Sequence, residues 1–341
     1  MRTDTRAAGI AAAIATILIW TAFIVIARAM ALKSLTPWDI VACRIAGAAL
    51  VLVPWGAWLV RQRRAQGRGA ASWLGTSPLG ARVTVTCGLF GGIGYAVFAY
   101  AGFVHAPAAH GSVLLPGMLP MWTALLSAWV LHERLSAARL GALALILAGG
   151  ALVGGASLLV AFDGGDAWKG DLMFLVASAS WSTYAVLMRR ERLDPVEATI
   201  ATTVFAALAY LPAWAALGAA GWIETRIATA PLGEIAFQAL WQGVGSVVVS
   251  GITFATMIRA FGPVRSTMLT ALVPGLSASG AVIFLGEPLG LNLVAGLALV
   301  TVGILVGVRA AAGGAPRAEA AGASDPSSGP PRPATPSGGR P

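Results

Sequence analysis

Acidic side chains are scarce: 14 Asp and Glu stand against 23 Lys and Arg in 341 residues, and charged residues make up 11% of the chain. An ordinary soluble domain carries about a quarter, so this chain has too few charges to cover a surface facing water. Cysteine is nearly absent. Cys43 and Cys87 stand far apart, without the paired spacing of a metal site or a disulfide framework. Three histidines and no cluster of acids, bases or ligands leave the sequence without the constellation that catalysis needs. An enzyme is therefore not expected, nor a bound cofactor or metal. No phosphate-binding Gly-rich loop ending in Lys-Ser or Lys-Thr occurs, which argues against direct ATP drive. The net charge of +9 would suggest nucleic acid if the basic residues gathered on one face or arm. They punctuate apolar runs instead, and no nucleic-acid partner is expected.

What the chain has in abundance is apolar sequence, 57% of its residues, in uninterrupted runs near the ~20 residues that cross a bilayer. Ten spans are predicted, at 8–27, 38–59, 83–103, 108–131, 140–160, 170–188, 198–219, 235–258, 266–284 and 289–308. In lipid each segment must satisfy its own backbone amides, so these spans should be helices. The expected fold is an all-α polytopic membrane protein with the lipid bilayer as its first partner. The N-terminal Arg2 and Arg6 followed by an apolar run could be taken for a secretory signal. The charge-free stretch from Ala7 to Ala27 is longer than the ~7 to 15 residues of such a signal and reads as the first span.

Lysine and arginine set the orientation, because cytoplasmic loops carry their excess. With the N-terminus inside, 18 of the 23 basic residues fall in cytoplasmic segments, including the cluster Arg61, Arg63, Arg64, Arg68 and Arg82. Only Arg28, Lys33, Lys169 and Arg226 lie opposite, and Arg44 lies within a span. Both termini are expected in the cytoplasm of a cell whose inner, or plasma, membrane the chain crosses. Residues 1–7 form a cytoplasmic N-terminus, 161–169 a periplasmic linker, and 309–341 a tail of Ala, Gly, Pro and Ser too poor in apolar surface to fold.

The spans repeat. At an offset of 154, Leu115, Pro120, Glu133 and Gly149 fall on Leu269, Pro274, Glu287 and Gly303. Trp20, Phe23 and Arg28 fall on Trp181, Tyr184 and Arg189 at 161, and Pro37 and Pro54 fall on Pro195 and Pro212 at 158. Residues 8–160 and 170–308 are thus two five-helix copies. Five is odd, so the second copy enters the membrane from the opposite side, the inverted arrangement of many secondary transporters.

Over residues 8 to 308 the sequence resembles the EamA-type branch of the drug/metabolite transporter superfamily. The likeness is carried by Trp20, by Pro37 and Arg44, and by Leu119-Pro120 followed by His132-Glu133-Arg134-Leu135-Ser136. Their echo is Val273-Pro274 with Leu285-Gly286-Glu287-Pro288-Leu289, and Gly170-Asp171-Leu172 with Ser180-Trp181 resembles the start of the family's second half. Pro288 departs from the arginine often found there. The resemblance implies a transporter with export as its direction.

Arg44 is the one formal charge well inside a predicted span, and intramembrane charge marks a functional candidate. It either holds a substrate carboxylate or snorkels to the interface about two turns away. Pro120 and Pro274, at matching places in spans four and nine, free backbone carbonyls and bend their helices, as ligand acceptors and hinges or as packing kinks. Trp20, Tyr95, Tyr100, His110, Trp181, Tyr184, Gln242, Thr253 and Thr270 are candidates for a central cavity, since polar atoms facing lipid would go unsatisfied. Glu133 and Glu287 sit at span ends and are expected to bond helix ends or loops. The leading reading is a secondary transporter of a small solute, an amino acid or related carboxylate, by alternating access. A proton-coupled exporter of cationic drugs would want an acid near a span centre, and none is there. A sensor or scaffold that moves no solute is the third reading, and the sequence does not choose between a monomer and a homodimer.

Overall fold

The computed structural model describes residues 2–31, 33–67, 71–133, 135–161 and 165–313. Among them ten helices are long and apolar enough to cross a membrane: span 1, Arg6–Ala31; span 2, Pro37–Ala65; span 3, Ala81–His105; span 4, Ala108–Val130; span 5, Ala137–Gly155; span 6, Ala167–Arg190; span 7, Pro195–Ala219; span 8, Leu232–Gly262; span 9, Met268–Leu285; and span 10, Leu291–Ala310. The described residues contain no strand, only an isolated bridge between Trp73 and Ser77. Helix outruns the apolar windows at several ends, because backbone hydrogen bonds continue where side chains turn polar. The first helix begins at Arg2 and the last runs to Gly313, so residues assigned to the two terminal segments are helical. Span 6 likewise takes up Ala167 to Lys169 of the expected linker. Residues 314–341, the rest of the expected disordered tail, lie outside the described residues.

Starts and stops follow the sequence. Span 2 opens on Thr36, whose hydroxyl accepts from the Asp39 amide while the Asp39 carboxylate accepts from the Thr36 amide, with Pro37 in the first turn; this is a reciprocal cap. Span 7 opens on Asp194-Pro195 with a one-way cap, Asp194 accepting from the amides of Val196 and Glu197.

The two halves exchange neighbours. Span 1 packs on spans 8 and 9 of the other half, and span 6 packs on spans 3 and 4. Spans 2 and 7 meet, and spans 5 and 10 form a separate pair. Gly149 and Gly296 bring that last pair to backbone contact: a Cβ on either would meet the other's carbonyl oxygen at 2.5 and 2.7 Å.

Two irregularities recur in both halves. The third span of each contains a wide π-helical segment, Gly88–Gly94 and Ala239–Val249, a feature frequent at functional sites. The fourth span of each is broken. Span 4 is helical over Ala108–Leu114 and again over Leu119–Val130. In the second half the chain bends at Gly262, φ 78°, and is interrupted again at Ala271 before Leu272–Leu285. In span 4 the cause is legible, since Pro116 and Pro120 remove two amide donors from the helical ladder, and the Pro116 carbonyl accepts from the Leu119 amide at 3.4 Å in a tighter turn instead.

Candidate functional site

Arg44 lies at the junction of spans 2, 3 and 8. Gly47 and Gly243 put it there: a Cβ on Gly47 would stand 2.0 Å from the Ala239 carbonyl oxygen, and one on Gly243 would stand 2.7 Å from the Arg44 carbonyl oxygen. Only glycine permits the π-helical segment so close to span 2. Arg44 Nη1 then donates to the Gln242 carbonyl at 3.2 Å, to Ser246 Oγ at 3.3 Å and to Tyr100 Oη at 3.5 Å. The guanidinium carbon stands 5.6 Å from the Phe23 ring centre. Arg44 is buried, and among the described residues it forms no ion pair. A buried charge held only by neutral acceptors is costly, and an anion placed beside it would offset much of that cost.

Aromatic rings extend from this point across both halves. Phe23 meets Tyr95, Tyr100 and Phe103 at centroid distances of 6.4, 5.9 and 6.4 Å. Tyr95 meets Trp181 at 4.9 Å, and Trp181 meets Tyr184 at 5.3 Å. The repeat-mate of Trp181, Trp20, stacks on Phe254 of span 8 at 5.1 Å. Each half thus offers its first span's tryptophan to the third span of the other.

The break in span 4 is covered from span 6. Ser178 donates to the Leu115 carbonyl at 2.9 Å and Ser182 to the Leu119 carbonyl at 3.2 Å. Asp171 lies two turns before Ser178 on the same helix face and meets His110 Nδ1 at 2.9 Å. At the other end of that face Arg189 donates to Ser127 Oγ at 3.1 Å. The corresponding face of span 1 carries Ile10, Ile17 and Thr21 in place of Asp171, Ser178 and Ser182, so the seam between spans 1 and 9 lacks these cross-links.

At its ends each fourth span carries a glutamate bound to the other half. Glu133 accepts from Arg189 Nη2 at 2.6 Å, with Arg139 Nη1 at 3.7 Å, on the membrane face that bears the chain ends, here called the near face. Glu287, on the far face, meets Arg28 Nε at 3.4 Å and accepts from the amides of Ala108 and Ala109 at 2.9 and 3.0 Å. These two pairs are repeat-mates on opposite faces.

A family model described as the EamA-like transporter family matches residues 7–155 and 168–309, one match for each half. The chain belongs to the EamA-like transporter family. Thirteen chains of solved structures match it; one, titled only as the crystal structure of a protein, is 22% identical with a TM-score of 0.54, covering 90% of this chain and 99% of its own. That likeness concerns the fold. No curated protein matches the sequence.

In this EamA-like protein, Arg44, Tyr95, Tyr100, Trp181, Tyr184 and Gln242 come together around Phe23 and the π-helical segments. Trp20 stands beside them on Phe254, and Thr253 accepts a hydrogen bond from Thr16 at 2.8 Å between spans 8 and 1. Pro120 and Pro274 each lie within the first turns after the break in spans 4 and 9, and Thr270 just before the second break. His110 falls elsewhere, at the far face with Asp171. Phe23, Ser246, Ser178 and Ser182 escaped the sequence reading. Phe23 was open to discovery as the repeat-mate of Tyr184, and Ser246 as one turn beyond Gln242; the two serines had no signal until span 4 was known to break beside them.

Proposed function

We propose that this membrane transporter is a secondary carrier of a small carboxylate-bearing metabolite, an amino acid or a related acid. The observation that carries the reading is Arg44, a buried guanidinium between the two halves with neutral partners only. A carboxylate is the planar anion that such a fork matches. The surrounding rings of Phe23, Tyr95 and Trp181 suit the apolar part of a small solute. Alternating access follows from the inverted halves: the broken fourth and ninth spans are the elements that bend, and the Arg28–Glu287 and Arg189–Glu133 pairs are the latches of the two faces. In this scheme both chain ends are cytoplasmic and the membrane is the inner, or plasma, membrane. Export as the net direction rests on the family resemblance alone. A carrier of cationic drugs would place an acid at the centre, and among the described residues no Asp or Glu pairs with Arg44.

The test is a thermal-shift screen of the purified full-length protein against amino acids, dicarboxylates, nucleobases and cationic dyes. A solute that binds the native state at a hundred times its Kd adds about 2.7 kcal/mol of stability. A carboxylate should stabilise the wild type, and Arg44→Ala should weaken its binding about 10- to 100-fold, the ~1.5–3 kcal/mol of a charge-assisted hydrogen bond. Stabilisation by cations alone, or equal carboxylate binding by a well-assembled Arg44→Ala protein, would sink the assignment.

A further inference from the structure

We propose that Gln238 and Gln242 form a second part of the solute site, which reads a carboxamide on the solute. The inference rests on the carboxylate reading of Arg44 and narrows it to acids that also bear an amide. Span 8 carries a polar stripe at intervals of four residues, Glu234, Gln238, Gln242, Ser246 and Ser250, and residues so spaced share one helix face. Both ends of the stripe are engaged. Glu234, at the far face, accepts from Ser34 Oγ and from the Leu35 amide. Ser246 Oγ accepts from Arg44 Nη1, and Ser250 donates to the Ser246 carbonyl at 2.8 Å. The middle differs. Gln238 and Gln242 are buried at 0% exposure, and among the described residues neither the nitrogen nor the oxygen of either carboxamide has a hydrogen-bond partner. Because both atoms of each group are bare, exchanging nitrogen and oxygen alters nothing.

Buried polar groups are costly unless paired, and native interiors pair nearly all of them. A bond between the two glutamines would not achieve this. Each carboxamide has two N–H donors and an oxygen that accepts twice, so one mutual bond leaves most of that capacity unused. The place does not suit a lone ion either. An anion would use the donors only and a cation the acceptors only, and Glu234, the acid of the stripe, is already bound. The matching group brings a donor and an acceptor side by side. A primary amide does so: its oxygen accepts from one glutamine and its nitrogen donates to the other.

Position ties this pair to the carboxylate site. Arg44 Nη1 donates to the Gln242 carbonyl at 3.2 Å, and Gln238 lies one turn further towards the far face. The same segment is the π-helical stretch that Gly47 and Gly243 bring against span 2, so the two glutamines are fixed relative to the guanidinium. A solute held by its carboxylate at Arg44 thus has neutral donors and acceptors beside it on the far-face side.

The test is calorimetric binding to the full-length protein in lipid nanodiscs, with two shape-matched sets of solutes: asparagine, aspartate and leucine, and glutamine, glutamate and homoleucine. Each set keeps the carboxylate and the outline of the solute while the far end changes from amide to acid to alkyl. A site that hydrogen-bonds a group rejects the analogue lacking it, so in at least one set the amide should bind about 10-fold or more tighter than both others. Gln238→Met and Gln242→Met keep the side-chain length and remove its donors and acceptor, and each should cut the amide-over-alkyl ratio about 5- to 10-fold. A merely structural role would weaken amide and alkyl solutes alike; an unchanged ratio in the assembled variants overturns the proposal. Should the variants not assemble, the wild type decides. An acid or alkyl member that binds as tightly as its amide in both sets, with binding still lost in Arg44→Ala, overturns the amide site and leaves the carboxylate reading standing. Butyramide binding as tightly as glutamine would retain the amide site and remove the carboxylate, and no binding by any solute would overturn both.

Discussion

The two repeat-related latches use the same residues and do not make the same site. On the far face Glu287 has three partners, Arg28 and two helix amides, and its side chain is 12% exposed with Arg28 at 19%. On the near face Glu133 has two arginines, with exposures of 30% for Glu133 and 50% for Arg189. The difference begins in the sequence that each glutamate faces. Glu287 meets the start of Ala108–Leu114, a helix end whose amides are free to donate. The positions that correspond to Ala108 and Ala109 are Gly262 and Pro263, where the chain bends and proline has no N–H. One glutamate is therefore a buried cap and the other a surface ion pair. The inverted repeat sets the scaffold, and local exceptions set how each face is tied: the far-face glutamate has more partners and is the more buried of the two.

The largest effect expected from that comparison is Glu287→Ala. It takes the counter-charge from a nearly buried Arg28, which among the described residues keeps only the Phe103 and Val104 carbonyls as acceptors, and uncaps two amides, and a loss of about 3 kcal/mol in stability is expected. Glu133→Ala, at a half-exposed pair, should cost no more than about 1 kcal/mol. Thermal unfolding of the two variants in the same detergent checks the contrast. Equal losses would mean that the two latches are energetically alike and that the amide cap contributes nothing.

Much of this was legible in the sequence, and the exceptions have physical causes. Ten apolar runs are a strong signal because a bilayer demands one length and forbids unpaired backbone. The repeat was visible because proline, glutamate and glycine rarely coincide by chance in an apolar chain. Arg44 and the aromatic residues of spans 1, 3 and 6 could be named because charge and rings in a span stand out. The latches could not. Glu133 and Glu287 are legible as span-end residues, yet their partners Arg189 and Arg28 lie in the opposite half, where no local spacing points to them. His110 was drawn to the central site for being polar, although it starts its span at the far face. Asp171 looked like a terminal residue until the helix was seen to begin four residues earlier, at Ala167. Serines give no signal of their own, since any of them can bond the carbonyl one turn back on its own helix, as Ser112 and Ser250 do.

A smaller effect separates the latches by salt. The exposed Arg189–Glu133 pair is screened by ions and the buried Arg28–Glu287 pair much less, with a Debye length of ~10 Å at 0.1 M falling to ~3 Å at 1 M. The stability difference between wild type and Glu133→Gln should therefore shrink towards zero across that range, whereas the difference for Glu287→Gln should keep most of its size. A salt response of the same magnitude in both would contradict the burial argument.

The smallest effect lies in the backbone beneath the two glutamates. Each is preceded by a left-handed residue that ends its helix, His132 at φ 54° and Gly286 at φ 67°, and each glutamate amide donates back to the helix, to Ser127 and to Ala281. Glycine takes this conformation freely, whereas a residue with a Cβ is strained there by about 1 kcal/mol. The His132 side chain is exposed, so His132→Gly removes the strain and little else, and a gain of somewhat under 1 kcal/mol is expected after the extra freedom of glycine in the unfolded chain is counted. Gly286→Ala is the converse. A Cβ there meets nothing within 4 Å, so a loss of about 1 kcal/mol would come from conformation alone. Thermal unfolding of both variants, with Glu133→Gln and Glu287→Gln as backgrounds, tests whether turn and latch act separately. Additive shifts are expected at the near face, where the latch is exposed. A larger penalty for Gly286→Ala with Glu287 intact than with Glu287→Gln would show that the far-face turn is what aims the carboxylate at Ala108 and Ala109.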